Sequence, residues 1–302
     1  MPRPFHRLHT VSHICKLLLC SFQKPADFLS FALSAGSVTR PMDASPFMDF
    51  LAVLSGFGVG AIVGMTGVGV GSLMTPLLMG AFGLPPAVAI GTDLWFAAIT
   101  KSGGSWVHHK LGHVDYRVTG LLLAGSLPAT VATIAVMHFT GITKAWSGAL
   151  TAALGVALLL TALAVAYRSF WTTLGLRIER WLPEQRRAAF TVASGALLGV
   201  LVSLSSIGAG AIGATLLLLL YPRMATHRVV GTDIAPAVPL TLVAGIGHAM
   251  LGNVEWALLA ALLLGSLPGI WLGARLTKAM PERLVRSVLC LSLVTAGLKV
   301  LA

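Results

Sequence analysis

The sequence predicts an all-α polytopic membrane protein made of two inverted repeats. Each repeat is expected to be a glycine-broken helical hairpin followed by three transmembrane helices, roughly 8 to 10 membrane helices in all. Three observations lead there. The 302 residues are 56% hydrophobic and 10% charged, with mean hydropathy +0.86, more apolar side chain than a soluble domain can bury. Gly91–Pro128 laid on Gly231–Pro268, an offset of 140, is identical at 14 of 38 positions. Equivalent loops of the two copies carry opposite charge.

The apolar runs are about 20 residues long and do not alternate, which excludes a transmembrane β-barrel. The net charge of +11 sits between apolar spans rather than on one patch. That is the mark of a positive-inside membrane protein and not of a nucleic-acid binder. Cys15, Cys20 and Cys290 have no metal-like spacing, so no zinc site, disulfide framework or cofactor is expected.

In chain order, residues 1–46 form a basic tail outside the repeat, expected to be disordered, with Met42 or Met48 as an alternative start. The first repeat occupies 47–167. Its opening segment Phe47–Gly64 should break at Gly67-Val68-Gly69-Val70-Gly71, because each glycine costs a helix about 1 kcal/mol relative to alanine. Ser72–Phe82 completes the hairpin and ends at Gly83-Leu84-Pro85-Pro86. Three spans follow, near Ala87–Val107, Val118–Phe139 and Trp146–Ala166. A linker, 168–187, holds five arginines against Glu179 and Glu184, and its Trp171 and Trp181 suggest an amphipathic piece at the interface. The second repeat, 188–302, opens with Ala188–Leu204, breaks at Ser205-Ser206-Ile207-Gly208-Ala209-Gly210, and resumes at Ala211–Tyr221. Its spans lie near Val229–Met250, Val254–Leu276 and Leu284–Leu301.

With the linker in the cytoplasm, the Lys110–Arg117 loop falls inside, while its mate Ala249–Asn253, without Lys or Arg, falls outside. Gly83–Pro86 is outside and uncharged, and its mate carries Arg223 and Arg228 inside. Lys144 and the basic tail, both placed outside, are the two exceptions. Loops that match in sequence and oppose in charge belong to copies lying upside-down to each other.

Broken hairpins entering from both sides would bring N–H groups and a helix N-terminus, Gly71-Ser72 and Gly210-Ala211, to the midplane, where an anion can bind. The alternative is that the glycines serve close helix packing. Asp93 and Asp233, each following a threonine (Thr92, Thr232), are ionisable groups in apolar spans and are functional by default; the alternative is that they cap their helix starts. Lys101 stands deeper in its span and could neutralise an anion or pair with Asp93. His108 and His248 match under the repeat and are candidates for a proton relay, or meet the interface. The expected substrate-binding set is therefore Gly67, Gly69, Gly71, Ser72, Thr92, Asp93, Lys101, Ser206, Gly208, Gly210, Thr232 and Asp233. A small anion and the bilayer are the expected partners, with the proton a candidate coupling ion and a homo-oligomer left open.

The glycine break followed by Met74-Thr75-Pro76-Leu77-Leu78, the paired Gly-Thr-Asp elements, and the turns Gly112-His113-Val114-Asp115-Tyr116 and Gly252-Asn253-Val254-Glu255-Trp256 resemble the TauE/SafE sulfite exporter family of bacterial inner-membrane proteins. The likeness covers about Phe47–Ala302. It departs at Asp93 and Asp233, where many members have Ser, and at Val70, where they have Gly. The resemblance implies export of small organic or sulfur oxyanions, such as sulfite or sulfoacetate, and no enzymatic activity. An intramembrane aspartyl protease using Asp93 and Asp233 is the reading from another class, and a non-transporting scaffold a third.

Overall fold

Apolar runs stopped by glycine and proline become helices here, and glycines also decide how closely those helices approach. The computed structural model describes residues 46–66, 71–140, 147–179, 183–208, 210–276 and 282–301. The expected tail before Pro46, and Gly67 and Gly69, lie outside the described residues.

Among the described residues the secondary structure is helical, without a strand. The first copy supplies α1 (Pro46–Thr66), α2 (Gly71–Ala81), α3 (Pro86–Lys110), α4 (Tyr116–Thr140) and α5 (Ser147–Ala166). The linker forms α6 (Arg168–Glu179). The second copy supplies α7 (Glu184–Ser205), α8 (Ala211–Leu220), α9 (Thr226–Met250), α10 (Trp256–Leu276) and α11 (Glu282–Leu301). Pro86 starts α3, where a proline's missing N–H costs nothing. Gly112 (φ 67°) and Gly252 (φ 73°) end α3 and α9 in the left-handed conformation that a helix stop favours. His113 N–H donates back to the His108 carbonyl at 3.0 Å, and Asn253 N–H to His248 at 2.9 Å. Five described helices, α4, α5, α7, α9 and α10, contain stretches long and apolar enough to cross a membrane. The protein is an all-helical, multi-pass membrane protein.

The copies interlock rather than sit side by side. α1 packs on α10, and its repeat equivalent α7 packs on α4; α3 packs on α9 and α5 on α11. Glycines make the first two seams. A Cβ on Gly56 would stand 2.2 Å from the Leu262 carbonyl oxygen, and one on Gly195 would stand 2.3 Å from that of Leu122. Gly60 meets Ser266 O and Gly199 meets Ser126 O, both at 2.4 Å; Gly265 meets Val53 O and Gly125 meets Val192 O, both at 1.9 Å. Each second contact is the first with its partners exchanged between copies, at an offset of 139 for the opening helices (195 − 56) and 140 for the later ones (262 − 122). Any side chain at these positions would push backbone from backbone, so the sequence needs glycine there.

α6 is the linker's amphipathic piece made helical. It lies against α8, with Gly175 close to the Leu218 and Leu219 carbonyls. Glu179 at its end accepts from Arg223 Nε at 3.0 Å and pairs with Arg187 at 3.7 Å.

Candidate functional site: buried charges at the central seam

The α3–α9 seam carries the Gly-Thr-Asp elements, and each of the three residues does a different job. The glycine lets the other copy's turn approach: a Cβ on Gly91 would be 1.9 Å from Asn253 O, and one on Gly231 would be 2.7 Å from His113 O. The threonine hydroxyl holds that turn. Thr92 Oγ1 accepts the Glu255 N–H, and Thr232 Oγ1 accepts the Asp115 N–H, each at 3.0 Å. These two bonds again exchange under the offset, since 232 − 92 and 255 − 115 both equal 140. Successive helical residues are turned by about 100°, so the aspartate faces elsewhere, toward the hairpin of its own copy.

There the two halves differ. Asp93 is fully buried, and its Oδ2 accepts the Thr75 hydroxyl of α2 at 2.5 Å. Asp233, 5% exposed, lays Oδ1 against the first turn of α8, only 1.9 Å from where a Cβ on Gly213 would stand. Neither carboxylate caps its helix: each is the eighth residue, counting from Pro86 and from Thr226. The capping alternative therefore fails. Lys101 is also buried, at 6% exposure, where its charge is opposed by the carboxylates of both copies, Asp233 and Asp93. The pairing alternative for Lys101 therefore involves Asp233 of the other copy as well as Asp93.

The second hairpin break is well defined. α7 ends at Ser206 with φ 58°, the left-handed region that a side chain rarely adopts. Gly208 (φ 131°) and Gly210 (φ 142°) follow, and the Gly208 carbonyl accepts the Gly213 N–H at 2.9 Å. Ser206 Oγ and Asp93 Oδ1 are both buried without a well-formed hydrogen bond, although the serine stands within reach of that carboxylate. The break of the second copy thus touches the aspartate of the first. Left-handed backbone and two buried oxygens without a well-formed hydrogen bond thus meet beside this break. In the first copy, Gly71 and Ser72 open α2.

The histidines diverge. His248 is fully buried, with Nε2–H donating to the Ser203 carbonyl at 2.9 Å, so it does not meet the interface. His108 is half-buried in a histidine cluster, its ring centroid 5.6 Å from His113, which lies 4.6 Å from His227. Among the described residues no group of three or more His, Cys, Asp or Glu is placed to hold a metal ion. Two site residues escaped the sequence reading. Thr75 and Gly213 carry no ionisable group, and under the 139 offset their mates are Ala214 and Met74, so the repeat gives no signal for them.

Apolar helices that bury two acids and a lysine along their central seam define a membrane transporter rather than a structural bundle. The chain belongs to the TauE/SafE family: the family's sequence model, described as Sulfite exporter TauE/SafE, matches residues 52–300. It is similar to the probable membrane transporter protein YjnA of Bacillus subtilis (strain 168), with 35% identity over 257 residues, 84% of this chain and 100% of that one. It is also similar to the probable membrane transporter protein YdhB of the same organism, 29% identical over 254 residues, 83% of this chain and 99% of the relative. No solved structure matches the chain significantly. Membership of a transporter family sets aside the aspartyl-protease and scaffold readings.

Proposed function

We propose that the protein is a secondary transporter of the bacterial inner membrane that exports small organic or sulfur oxyanions, sulfite- or sulfoacetate-like. The substrate site is formed at the midplane by the two hairpin breaks, with Gly67, Gly69, Gly71 and Ser72 on one side and Ser206, Gly208 and Gly210 on the other. Lys101 supplies the positive charge, Asp93 and Asp233 set the charge balance, and Thr92 and Thr232 hold the seam behind them. One observation carries the reading: three ionisable side chains from both copies are buried together beside the second break. Such a cluster in an apolar bundle is costly and is retained for transport.

The inverted arrangement is part of this proposal. It is supported by the exchanged contacts, since two copies related by a two-fold axis must meet in pairs i–j and j–i, and by the opposite charge of equivalent loops. Alternating access then amounts to one copy rocking against the other about a fixed site. His108, in its cluster near a helix end, is the better placed of the two relay candidates. The test is purification into liposomes and uptake or efflux of a panel of oxyanions, with and without a pH gradient. Protein-dependent flux of sulfite or a sulfonate is expected; a well-folded protein that moves none of the panel overturns the proposal.

A further inference from the structure

Asp93, Asp233 and Lys101 are buried at 0%, 5% and 6% exposure. Apart from His248, they are the buried acids and bases among the described residues. His248 is 15 residues beyond Asp233 on α9, about 22 Å along the helix, and its ring is bonded to the Ser203 backbone. His227 and Arg228 also lie on α9, but they are exposed at its start. α2, α5 and α8 contain no titratable side chain. On the other helices packed against this seam, His108, His109 and Lys110 at the end of α3, Arg117 and His138 near the ends of α4, and Arg186 and Arg187 near the start of α7 are exposed or half-buried. The buried charge described at this site is therefore that of Asp93, Asp233 and Lys101.

Fully ionised, two carboxylates and one ammonium sum to −1. A net charge in an apolar interior is unfavourable, and one proton cancels it. A monoanion entering a neutral site returns it to −1, and a second proton restores neutrality, leaving Lys101 as the cation that the anion faces. The structure provides a place for a proton. Asp93 Oδ1 is a buried carboxylate oxygen without a well-formed hydrogen bond, and Thr75 already donates to the other oxygen, so Oδ1 is the oxygen left to carry the proton. A metal cation would instead meet the Lys101 ammonium, which interacts with both carboxylates.

Resting on the oxyanion reading of this site, we propose that the Asp93–Lys101–Asp233 cluster binds proton and anion together, so that the protein moves them in the same direction, one proton per monoanion. The step makes an O–H bond on a carboxylate from a water-borne proton at one face and breaks it at the other. Both forms that cross the membrane, empty and loaded, then hold an uncharged site. Export runs on the anion's own gradient and carries protons out with it.

The experiment uses proteoliposomes loaded with methanesulfonate, a monoanion that does not titrate near neutral pH, and diluted into anion-free medium. An internal pH dye and a potassium–valinomycin clamp report proton movement and charge. The expected result is internal alkalinisation in step with efflux, unaffected by the clamped potential. Anion affinity should rise by about tenfold for each pH unit lowered where the site titrates, as linkage of one proton to one anion requires. Asp93→Asn and Asp233→Asn, checked for folding by gel filtration, mimic protonated carboxyls and should flatten that pH dependence. Efflux with no proton movement, with internal acidification, or with a sodium requirement overturns the proposal and leaves the oxyanion reading standing. Unchanged pH dependence in both folded variants also overturns it. No methanesulfonate efflux at any pH overturns the proposal, and the oxyanion reading is then decided by the wider panel.

Discussion

Gly213→Ala adds one methyl group to the first turn of α8 and should impair transport without unfolding the protein. The new Cβ would stand 1.9 Å from Asp233 Oδ1, against the 3.0 Å that real Cβ contacts respect, so the carboxylate must retreat by about 1.1 Å. Two stability effects nearly cancel. Alanine gains about 1 kcal/mol over glycine within a helix, and an aspartate pushed off its rotamer loses about 0.5–1.5 kcal/mol. The net stays within about 1 kcal/mol of wild type. The electrostatic effect does not cancel. A pair of unit charges near 4 Å, at an effective dielectric constant of about 20, is worth about 4 kcal/mol, and about 1 Å of added separation removes about 1 kcal/mol of it. That corresponds to about fivefold in substrate affinity or turnover.

The assay pairs a thermal-unfolding midpoint in detergent with concentration-dependent flux in liposomes. Gly120→Ala is the control, because its added Cβ meets nothing within 4 Å; it should leave flux unchanged. Gly213→Ala with wild-type stability and wild-type flux would show that the position of Asp233 does not matter for transport. A loss of more than about 3 kcal/mol would show that the carboxylate cannot yield, and would refute the cancellation argued above.

Four further outcomes are expected. Reporter fusions after Arg180 and after Gly252 should lie on opposite sides, cytoplasm and periplasm respectively, and the same side for both would end the inverted-repeat proposal. Gly265→Ala and Gly125→Ala, each placing a Cβ 1.9 Å from a backbone carbonyl, should lower thermal stability by similar amounts, about 1–3 kcal/mol; a large inequality would count against equivalent seams. Thr232→Val leaves the Asp115 N–H without its acceptor and should cost about 1–3 kcal/mol, as should Thr92→Val for Glu255; unchanged unfolding midpoints would show that water replaces the hydroxyl. Lys101→Gln should weaken oxyanion affinity, while Lys101→Arg keeps part of it. Unaltered affinity in the glutamine variant removes Lys101 from the anion's surroundings.

The helices were legible because their signals are local. Long apolar runs between glycine and proline stops placed α5 and α8 to within one residue at each end: Trp146–Ala166 expected against Ser147–Ala166, and Ala211–Tyr221 against Ala211–Leu220. α7 begins at Glu184 rather than Ala188, because polar residues continue a helix beyond its apolar stretch. The seams were not legible. From sequence Gly125 and Gly265 read only as repeat markers, and nothing in a linear pattern tells which backbone will press against a glycine. The aspartates stood out as two acids in apolar spans, but their distance from the helix starts depended on boundaries that sequence places poorly. The Lys101–Asp233 relation crosses from one copy to the other and has no local trace at all.

The repeat itself shows where function departs from architecture. Contacts that set the fold occur twice: the glycine seams, the Thr92–Glu255 and Thr232–Asp115 bonds, and the glycine turns after α3 and α9. At the centre the lysine does not, and the paired aspartates are held differently. Lys101 has Thr241 as its mate, and that hydroxyl donates to the Ala237 carbonyl of its own helix at 2.8 Å, requiring no partner from outside. Asp93 has a hydroxyl donor in Thr75, whereas Asp233 rests against a bare glycine. Under the transport proposal, a framework that exchanges its halves would present one site alternately to either side of the membrane. The single lysine between two differently held carboxylates would give that proposed site one cationic centre, matched to one anion rather than to two related by symmetry.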